Sequence, residues 1–337
     1  MSEQAIQAPE ATTEVQLAVT SLFTERAVFS GHQLAVTHLN VDNEHNTLVS
    51  GSRDCSALVW KLPKTQESWA APMTRLEGHN HFVSSVSFST DASHLLTSSW
   101  DGTIRLWDVP HRSCKTLFRG HEKDVLQVAF SPCNRRIISV SRDKTVKLWN
   151  ILGKCMSTLP GDSWATCVAC APIENQNDPL HVAVGFWDGK VIIYEINEKF
   201  EVKHTIKAHE GRCEAISFTP DGKWVISGGS DRKVCMFQTH DGQKSLSFTA
   251  QAPVHAIATC PTQAWICAAT YAGIHVWDIS TKQMIDNVNF NFVKRGEKRD
   301  EGRKPDCTSL AWAADGTVMY AGYNDGNIRA WEVRSQQ

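Results

Sequence analysis

Seven similar segments follow one another along this chain of 337 residues, and the repetition constrains the fold more than any other feature. In each segment an aspartate is followed, after five further residues, by an aromatic side chain, except that the sixth segment has a tyrosine in place of the aspartate. Successive segments are 40 to 54 residues apart, with a mean of about 45, which is typical of the four-stranded blade of a β-propeller. The pairs are Asp54 and Trp60, Asp101 and Trp107, Asp143 and Trp149, Asp188 and Tyr194, Asp231 and Phe237, Tyr271 and Trp277, and Asp325 and Trp331.

Two further polar positions are either both present or both absent in a segment. In four segments a histidine lies 22 residues before the aspartate and a hydroxyl side chain lies four residues before it, whereas the other three segments have neither. We expect these groups to form structural networks, in which the carboxylate holds the imidazole and the hydroxyl bridges imidazole and indole. The predicted networks are His32, Ser50, Asp54 and Trp60; His79, Thr97, Asp101 and Trp107; His121, Ser139, Asp143 and Trp149; and, with Phe237 in place of the indole, His209, Ser227 and Asp231.

Between these markers the chain is a series of short, strand-like runs without long helical periodicity. The sequence therefore predicts an all-β, seven-bladed propeller. The last segment holds only three strand-like runs, so we expect residues 22–30 to supply its fourth strand and to close the ring. The predicted bounds are 1–19 for a disordered polar tail, 31–76, 77–118, 119–160, 161–206, 207–249 and 250–289 for blades 1 to 6, 290–306 for an inserted loop, and 307–335 with strand 22–30 for blade 7.

Composition excludes several classes of protein. Lys and Arg number 34 against 36 Asp and Glu, for a net charge of -2, so the chain as a whole is no cationic nucleic-acid coat. It has no signal-peptide or membrane-spanning pattern, and its 11 cysteines follow no disulfide framework. We therefore expect a cytoplasmic protein without membrane insertion.

Catalytic chemistry is not indicated either. The common nucleotide-binding, hydrolase and metalloprotease motifs are absent, and the histidine–aspartate pairs repeat around a ring instead of converging on one cleft. Cys167 and Cys170 form a CxxC within a predicted strand, where residues three apart point to opposite faces and cannot share a metal. The sequence predicts no catalytic residue, metal, cofactor or small-molecule substrate.

The Gly-His to Trp-Asp spacing, together with Trp107-Asp108 and Trp277-Asp278, is the WD-repeat signature. The runs 99–108, 120–131, 141–150 and 307–312 go further, because in order they resemble the receptor-for-activated-C-kinase family, the G-protein-β-like scaffolds of the small ribosomal subunit. This resemblance covers the chain from about Phe29 to its C-terminus. It implies a scaffold that binds small-subunit ribosomal RNA and ribosomal proteins, protein kinase C, and other signalling or translation factors.

One face of blades 1 to 3 is predicted to be basic. The Gly-His loops and the aspartate turns must share a face because their side chains meet, and a local cationic patch can hold phosphates; a scattered solvated surface is the alternative. The resemblance implies that a basic pair flanking the first aspartate docks on ribosomal RNA, but only its first member is kept, since the second position is Cys55. The predicted contact residues are Arg53, Lys115, Arg119, Lys123, Arg142 and Lys144.

Two other features suggest contacts with partners. Trp100 and Trp187 directly precede aspartate turns, where exposed aromatic side chains are plausible contact residues. The loop 290–306 is rich in charge and is either a solvated mobile loop or a projection that touches a partner or RNA. Its candidate contact residues are Lys294, Arg295, Lys298 and Arg299.

These observations favour a non-enzymatic scaffold that is bound to the head of the small ribosomal subunit and links translation to kinase signalling. A G-protein β subunit is one alternative, but it would need an N-terminal coiled-coil helix, and the region before Gly31 has no heptads. A propeller hydrolase would need acids or a metal cluster in the central channel. An adaptor of another complex, such as a ubiquitin ligase or chromatin machinery, is a further alternative.

Overall fold

Seven four-stranded sheets account for the fold. The computed structural model describes residues 21–42, 46–62, 72–173, 179–197, 200–289 and 304–334, and these residues form 28 strands and no helix. Every sheet is antiparallel, and six of the seven consist of four consecutive strands. The inner strands contact one another in a closed circle around a central channel, which confirms the predicted all-β, seven-bladed propeller.

The blades follow the chain in order, each running from its inner to its outer strand. Blade 1 contains β2 (Val36–Asp42), β3 (Thr47–Ser52), β4 (Ala57–Lys61) and β5 (Pro72–Leu76); blade 2 contains β6 (Val83–Phe88), β7 (His94–Ser99), β8 (Ile104–Asp108) and β9 (Ser113–Phe118). Blade 3 contains β10 (Val125–Phe130), β11 (Arg136–Ser141), β12 (Thr145–Asn150) and β13 (Cys155–Pro160); blade 4 contains β14 (Ala165–Cys170), β15 (Leu180–Phe186), β16 (Lys190–Ile196) and β17 (Phe200–Lys207). Blade 5 contains β18 (Cys213–Phe218), β19 (Trp224–Gly229), β20 (Lys233–Gln238) and β21 (Lys244–Thr249); blade 6 contains β22 (Ala256–Thr259), β23 (Trp265–Thr270), β24 (Gly273–Asp278) and β25 (Gln283–Val288). Blade 7 contains β26 (Cys307–Trp312), β27 (Val318–Tyr323), β28 (Asn327–Val333) and, as its outer strand, β1 (Phe23–Ser30).

The first strand closes the ring, as the sequence predicts. β1 pairs antiparallel with β28 from Phe23, opposite Val333, to Ser30, opposite Asn327. Phe29 is buried and packs edge-on against Trp60 of blade 1, with ring centroids 5.7 Å apart. Without β1, the outer edge of β28 would be left without a hydrogen-bonded partner, so this early segment of the chain joins blade 7 to blade 1.

The hydrophobic core lies between neighbouring blades. Leu48, Leu58 and Trp60 of blade 1 form one buried cluster with Ile328 and Ala330 of blade 7. The second strand of each blade is therefore buried on both faces, with apolar side chains in its first half and mostly small or hydroxyl side chains towards its end. The third strand is mostly buried, whereas the outer strands are exposed or half-buried along most of their length. The stability of one blade thus depends on its neighbours.

Hydroxyl side chains on the inner strands join adjacent blades. Thr37 of blade 1 donates to the carbonyl oxygen of Val83 in blade 2 at 2.6 Å, and Thr166 of blade 4 donates to that of Cys213 in blade 5 at 2.6 Å. Equivalent bonds run from Ser84 to Val125 and from Thr308 to Val36. These bonds fix the ends of the inner strands at the face that carries the Gly-His loops.

Candidate nucleic-acid interface

The predicted networks hold the loops of one face in place. In blade 3 the imidazole of His121 lies 2.7 Å from Asp143 through Nδ1 and 2.7 Å from Ser139 through Nε2, and the indole of Trp149 donates to the same hydroxyl at 2.8 Å. Blades 1 and 2 contain the same four-membered network, and blade 5 contains the three-membered form. The Gly-His loop and the aspartate turn of each of these blades therefore share one face, which we call the loop face.

The charge state of the carboxylate fixes the direction of these hydrogen bonds. Burial alone would raise the pKa of Asp143, but hydrogen bonds from His121 and Thr145 outweigh it and hold this pKa well below its ordinary value. The carboxylate is thus an acceptor, so Nδ1 of the imidazole carries the proton and Nε2 can accept from Ser139. A neutral histidine satisfies every member of the network.

These histidines cannot reach a substrate. The side chains of His32, His79, His121 and His209 are between 0% and 2% exposed, and both ring nitrogens of each are occupied. Their role in the described part of the molecule is to position the loop face.

The backbone places two side chains of each blade side by side on this face. One of the two residues directly precedes the aspartate, and the other directly precedes the inner strand. The backbone N–H of the first donates to the carbonyl oxygen of the second: Trp100 donates to Phe82 at 3.1 Å, and Trp187 donates to Trp164 at 2.9 Å. Blade 3 repeats the bond from Arg142 to Asp124. The aspartate turns and the Gly-His loops thus present a regular set of positions, and the identity of their side chains determines what the face can bind.

Four of the six predicted basic residues are available on the loop face. Arg53, Arg119, Lys123 and Lys144 are exposed, and none of them has an ion-pair partner within 4 Å among the described acidic residues. Lys144 has a φ of 67° and occupies the position after the aspartate, the same position in its turn that Cys55 occupies in blade 1 with a φ of 66°. Blade 1 therefore has no cation at the turn position that Lys144 occupies in blade 3.

The other two predicted basic residues lie differently. The guanidinium of Arg142 is on the loop face but is paired with Asp124 at 2.7 Å, so its charge is largely compensated. The expected position of Lys115 near the loop face is wrong, because its ammonium lies 3.0 Å from Nε2 of His94, at the start of β7 and at the opposite end of blade 2. β9 begins at this end of the blade, where Ser113 pairs with Asp108, and reaches the loop face only at Phe118, which pairs with Ile104.

Trp100 and Trp187 belong to a larger arrangement that the sequence did not predict. The guanidinium carbon of Arg142 lies 5.9 Å from the ring centroid of Trp100 and 4.5 Å from that of Trp164. Trp164 in turn packs on Trp187 with ring centroids 4.6 Å apart, and the guanidinium of Arg212 covers Trp187 at 4.8 Å. With Phe82, which packs on Trp100 at 5.3 Å, these residues form what we call the arginine–aromatic row: Phe82, Trp100, Arg142, Trp164, Trp187 and Arg212.

A signal for the missed members was present in the sequence. An offset of 18 residues joins Phe82 to Trp100, Asp124 to Arg142 and Arg212 to Ser230, and the second residue of each pair directly precedes the aspartate of its turn. In the longer fourth blade, Trp164 holds the first place and Trp187 the second. Side chains at two positions that keep a fixed offset in successive blades are expected to contact each other, as the histidine and the hydroxyl of each network do.

Other predicted features lie elsewhere or outside the described residues. Lys294, Arg295, Lys298 and Arg299 fall in the range 290–303, and the tail 1–19 also lies outside the described residues. Among the described residues no three His, Cys, Asp or Glu side chains are grouped as metal ligands, and no helix has the length and hydrophobicity to span a bilayer. Burial raises the pKa of Cys170 to about 12, while Cys167 faces Cys213 of blade 5 with the two sulfur atoms 3.8 Å apart.

Comparison with known proteins places this geometry in a family. The family described as "WD domain, G-beta repeat" matches residues 23–61, 70–108, 112–150, 200–238 and 299–332. The chain is 41% identical to the "Cross-pathway control WD-repeat protein 2" of Flammulina velutipes over 90% of this chain and 96% of that protein. It is also 41% identical to the "Small ribosomal subunit protein RACK1" of Neurospora crassa and to the "MST50-interacting protein 11" of Pyricularia oryzae, in each case over 92% of this chain and 98% of the relative.

Proposed function

The chain belongs to the WD-repeat family, in the group that includes small ribosomal subunit protein RACK1, and from this premise we propose that it is a non-enzymatic scaffold of the small ribosomal subunit. It would act in the cytoplasm, where it would dock through the loop face of blades 1 to 3. The observation that carries the proposal is the identity of 41% to a ribosomal protein along almost the whole length of both chains. The rigid ring would hold the docking loops, and the remaining blades would display partner sites.

The docking chemistry that we propose is the neutralisation of RNA phosphates. Arg53, Lys123 and Lys144 are exposed and have no ion-pair partner among the described residues, while the guanidinium of Arg53 lies 5.7 Å from the ring centroid of Phe82. Arg119 lies next to the Gly-His loop of blade 3. Each cation that contacts a phosphate releases a condensed counterion, so the affinity should fall steeply with salt. Blades 4 to 7 would then remain free for protein kinase C and for other signalling and translation factors.

The lack of enzymatic activity is part of the same proposal. The histidine–aspartate pairs are buried in separate blades, where they position loops, and they do not converge on a common cleft. A scaffold needs only fixed surfaces, and a ring of mutually supporting blades supplies them.

Sedimentation of a cell extract tests the docking. Arg53→Asp combined with Lys144→Glu should move the chain from the small-subunit fractions to the top of the gradient at moderate salt, with its melting temperature nearly unchanged. The matched control is Arg232→Glu with Lys233→Glu, which makes the same charge change in the equivalent turn of blade 5. Wild-type protein should leave the small subunit after a high-salt wash.

Two results would contradict the proposal. If the double variant of blades 1 and 3 stays with the small subunit, the loop face of these blades is not the docking surface. If the wild-type chain never migrates with small subunits, the adaptor of another complex becomes the better description, and co-purification would identify that complex.

A further inference from the structure

The arginine–aromatic row has features that phosphate docking does not use. It runs across blades 2 to 5, beyond the basic residues of blades 1 to 3, and its tryptophans are unusually accessible for side chains of this size. Trp100 is 36% exposed and Trp187 is 43% exposed, although most tryptophans of the described blades are buried or half-buried. A folded protein leaves such surface open at some cost, which makes contiguous exposed aromatics a mark of a binding site.

Carboxylates hold the arginines of the row in place. The guanidinium of Arg142 donates to Asp124 at 2.7 Å, and that of Arg212 pairs with Glu214. Because these charges are compensated, the two guanidinium groups act mainly as fixed planes next to the indole rings. The row therefore offers rigid, flat surfaces for stacking, and its compensated charges attract phosphate only weakly.

A cavity opens along the row where blades 2, 3 and 4 meet. It has a volume of about 420 Å³, and its lining includes Trp100, Arg142 and Trp164 together with Lys123 and three acidic residues, Asp101, Glu122 and Asp124. Asp101 is held by His79 and Asp124 by Arg142, so both carboxylates already have a partner. Sites of about 300–1,000 Å³ are usual for small-molecule ligands, so the cavity is large enough for one nucleobase. Lys123 supplies exposed positive charge within this lining, and Lys144, two residues after Arg142, is a second exposed cation of the same blade.

From this arrangement we propose that the row binds a single-stranded nucleic acid by stacking its unpaired bases on the indole and guanidinium planes. Aromatic rings and arginine planes are the groups on which proteins stack splayed bases, and adjacent lysines accommodate the backbone between them. The proposal goes beyond ribosome docking, because it concerns bases instead of phosphates and involves blades that the docking surface leaves free. A protein segment bound to the same tryptophans is the competing occupant.

Binding of short oligonucleotides to the full-length protein tests the stacking. Fluorescently labelled twelve-residue oligoadenylate, as RNA and as DNA, is compared by anisotropy with an abasic strand of equal charge and with a duplex. We expect both single strands to bind at least tenfold more tightly than the abasic strand and the duplex; a preference between RNA and DNA identifies the natural source.

Substitutions within the row identify the site. Trp164→Leu and Trp187→Leu should each weaken the binding of oligoadenylate by about fivefold to a hundredfold, which is the range for loss of one stacked base. Trp164→Phe keeps a flat ring and should restore most of the affinity, and melting temperatures exclude misfolding. Tyr271→Leu is the matched control, because Tyr271 is an exposed aromatic side chain in the corresponding turn of blade 6, outside the row.

The possible failures are distinct from those of ribosome docking. The stacking proposal would be overturned if the abasic strand bound as tightly as oligoadenylate, or if Trp164→Leu and Trp187→Leu kept the full affinity. It would also be overturned if these variants lost a bound ribosomal protein while their oligonucleotide binding stayed unchanged. Arg53 and Lys144 remain in place in both variants, so sedimentation with the small subunit reports on docking alone.

Discussion

The hydroxyl at the centre of each network allows a quantitative test within one chain. Ser139 is fully buried, and its hydroxyl donates to Nε2 of His121 and accepts from the indole N–H of Trp149. Ser139→Ala leaves both groups buried without partners, and each such group costs about 1–3 kcal/mol, so we expect a loss of about 2–4 kcal/mol in the free energy of unfolding when the surroundings relax partly.

Blade 5 supplies the matched comparison. Ser227 is equally buried and lies 2.9 Å from Nε2 of His209, but Phe237 stands where blades 1 to 3 have an indole. Ser227→Ala therefore orphans one polar group instead of two and should cost about 1–2 kcal/mol less than Ser139→Ala. Both substitutions remove the same atoms, so differences in cavity size and in side-chain entropy largely cancel.

Denaturant unfolding followed by intrinsic fluorescence and circular dichroism measures both losses. The slope of the free energy against denaturant concentration should be the same for both variants, so that the midpoints report stability alone. Equal destabilisation by the two substitutions would refute the reasoning, because the indole N–H would then gain nothing from the hydroxyl. Trp149→Phe would reproduce the natural state of blade 5 and should bring the cost of Ser139→Ala close to that of Ser227→Ala.

Three further predictions concern the turns, the channel and the ring closure. Gly189 and Gly102 have similar positive φ values, 82° and 79°, but a Cβ on Gly189 would overlap carbonyl oxygens of the next blade whereas one on Gly102 would have its nearest neighbours at 3.5 Å. Gly102→Ala should therefore cost about 1–2 kcal/mol and Gly189→Ala clearly more, as measured by thermal unfolding. His38 borders the channel, and burial lowers its pKa from 6.5 to about 4. The stability that its neutral form contributes is therefore complete above pH 6.5 and is lost as the pH falls towards 4. His38→Gln should reduce the proton uptake on unfolding near pH 5 by about one proton, as measured from the pH dependence of the free energy of unfolding. Phe29→Ala should lower the free energy of unfolding by about 3–5 kcal/mol, because it leaves a cavity where the closing strand packs against blade 1. A loss below about 1 kcal/mol in denaturant unfolding would show that this contact contributes little to stability.

The features that the sequence predicted correctly are those that repeat within one blade. The spacing of 22 residues from His121 to Asp143 and the co-occurrence with Ser139 predicted a contact that the structure contains at hydrogen-bond distance. The three-stranded last segment predicted the closing strand. In both cases antiparallel pairing within one sheet fixes which residues become neighbours, whether the strands are joined by a tight turn or, like β1 and β28, come from opposite ends of the chain.

Lys115 illustrates where this reasoning fails. Lys115 is only five residues before Gly120 of the Gly-His loop, but the outer strand β9 runs from the opposite end of the blade to the loop face, and Lys115 lies near its start. Proximity in sequence therefore did not determine which end of the blade the ammonium would occupy.

The sequence alone determined the number of blades, the closure of the ring and the face on which the loops are held, because each follows from a local period and from the hydrogen bonds of a single sheet. Only the tertiary structure decided that Arg142 lies between Trp100 and Trp164, that Arg212 covers Trp187, and which cations remain unpaired. These contacts join different blades, and their distances depend on how neighbouring sheets pack and tilt. No spacing along the chain records that packing.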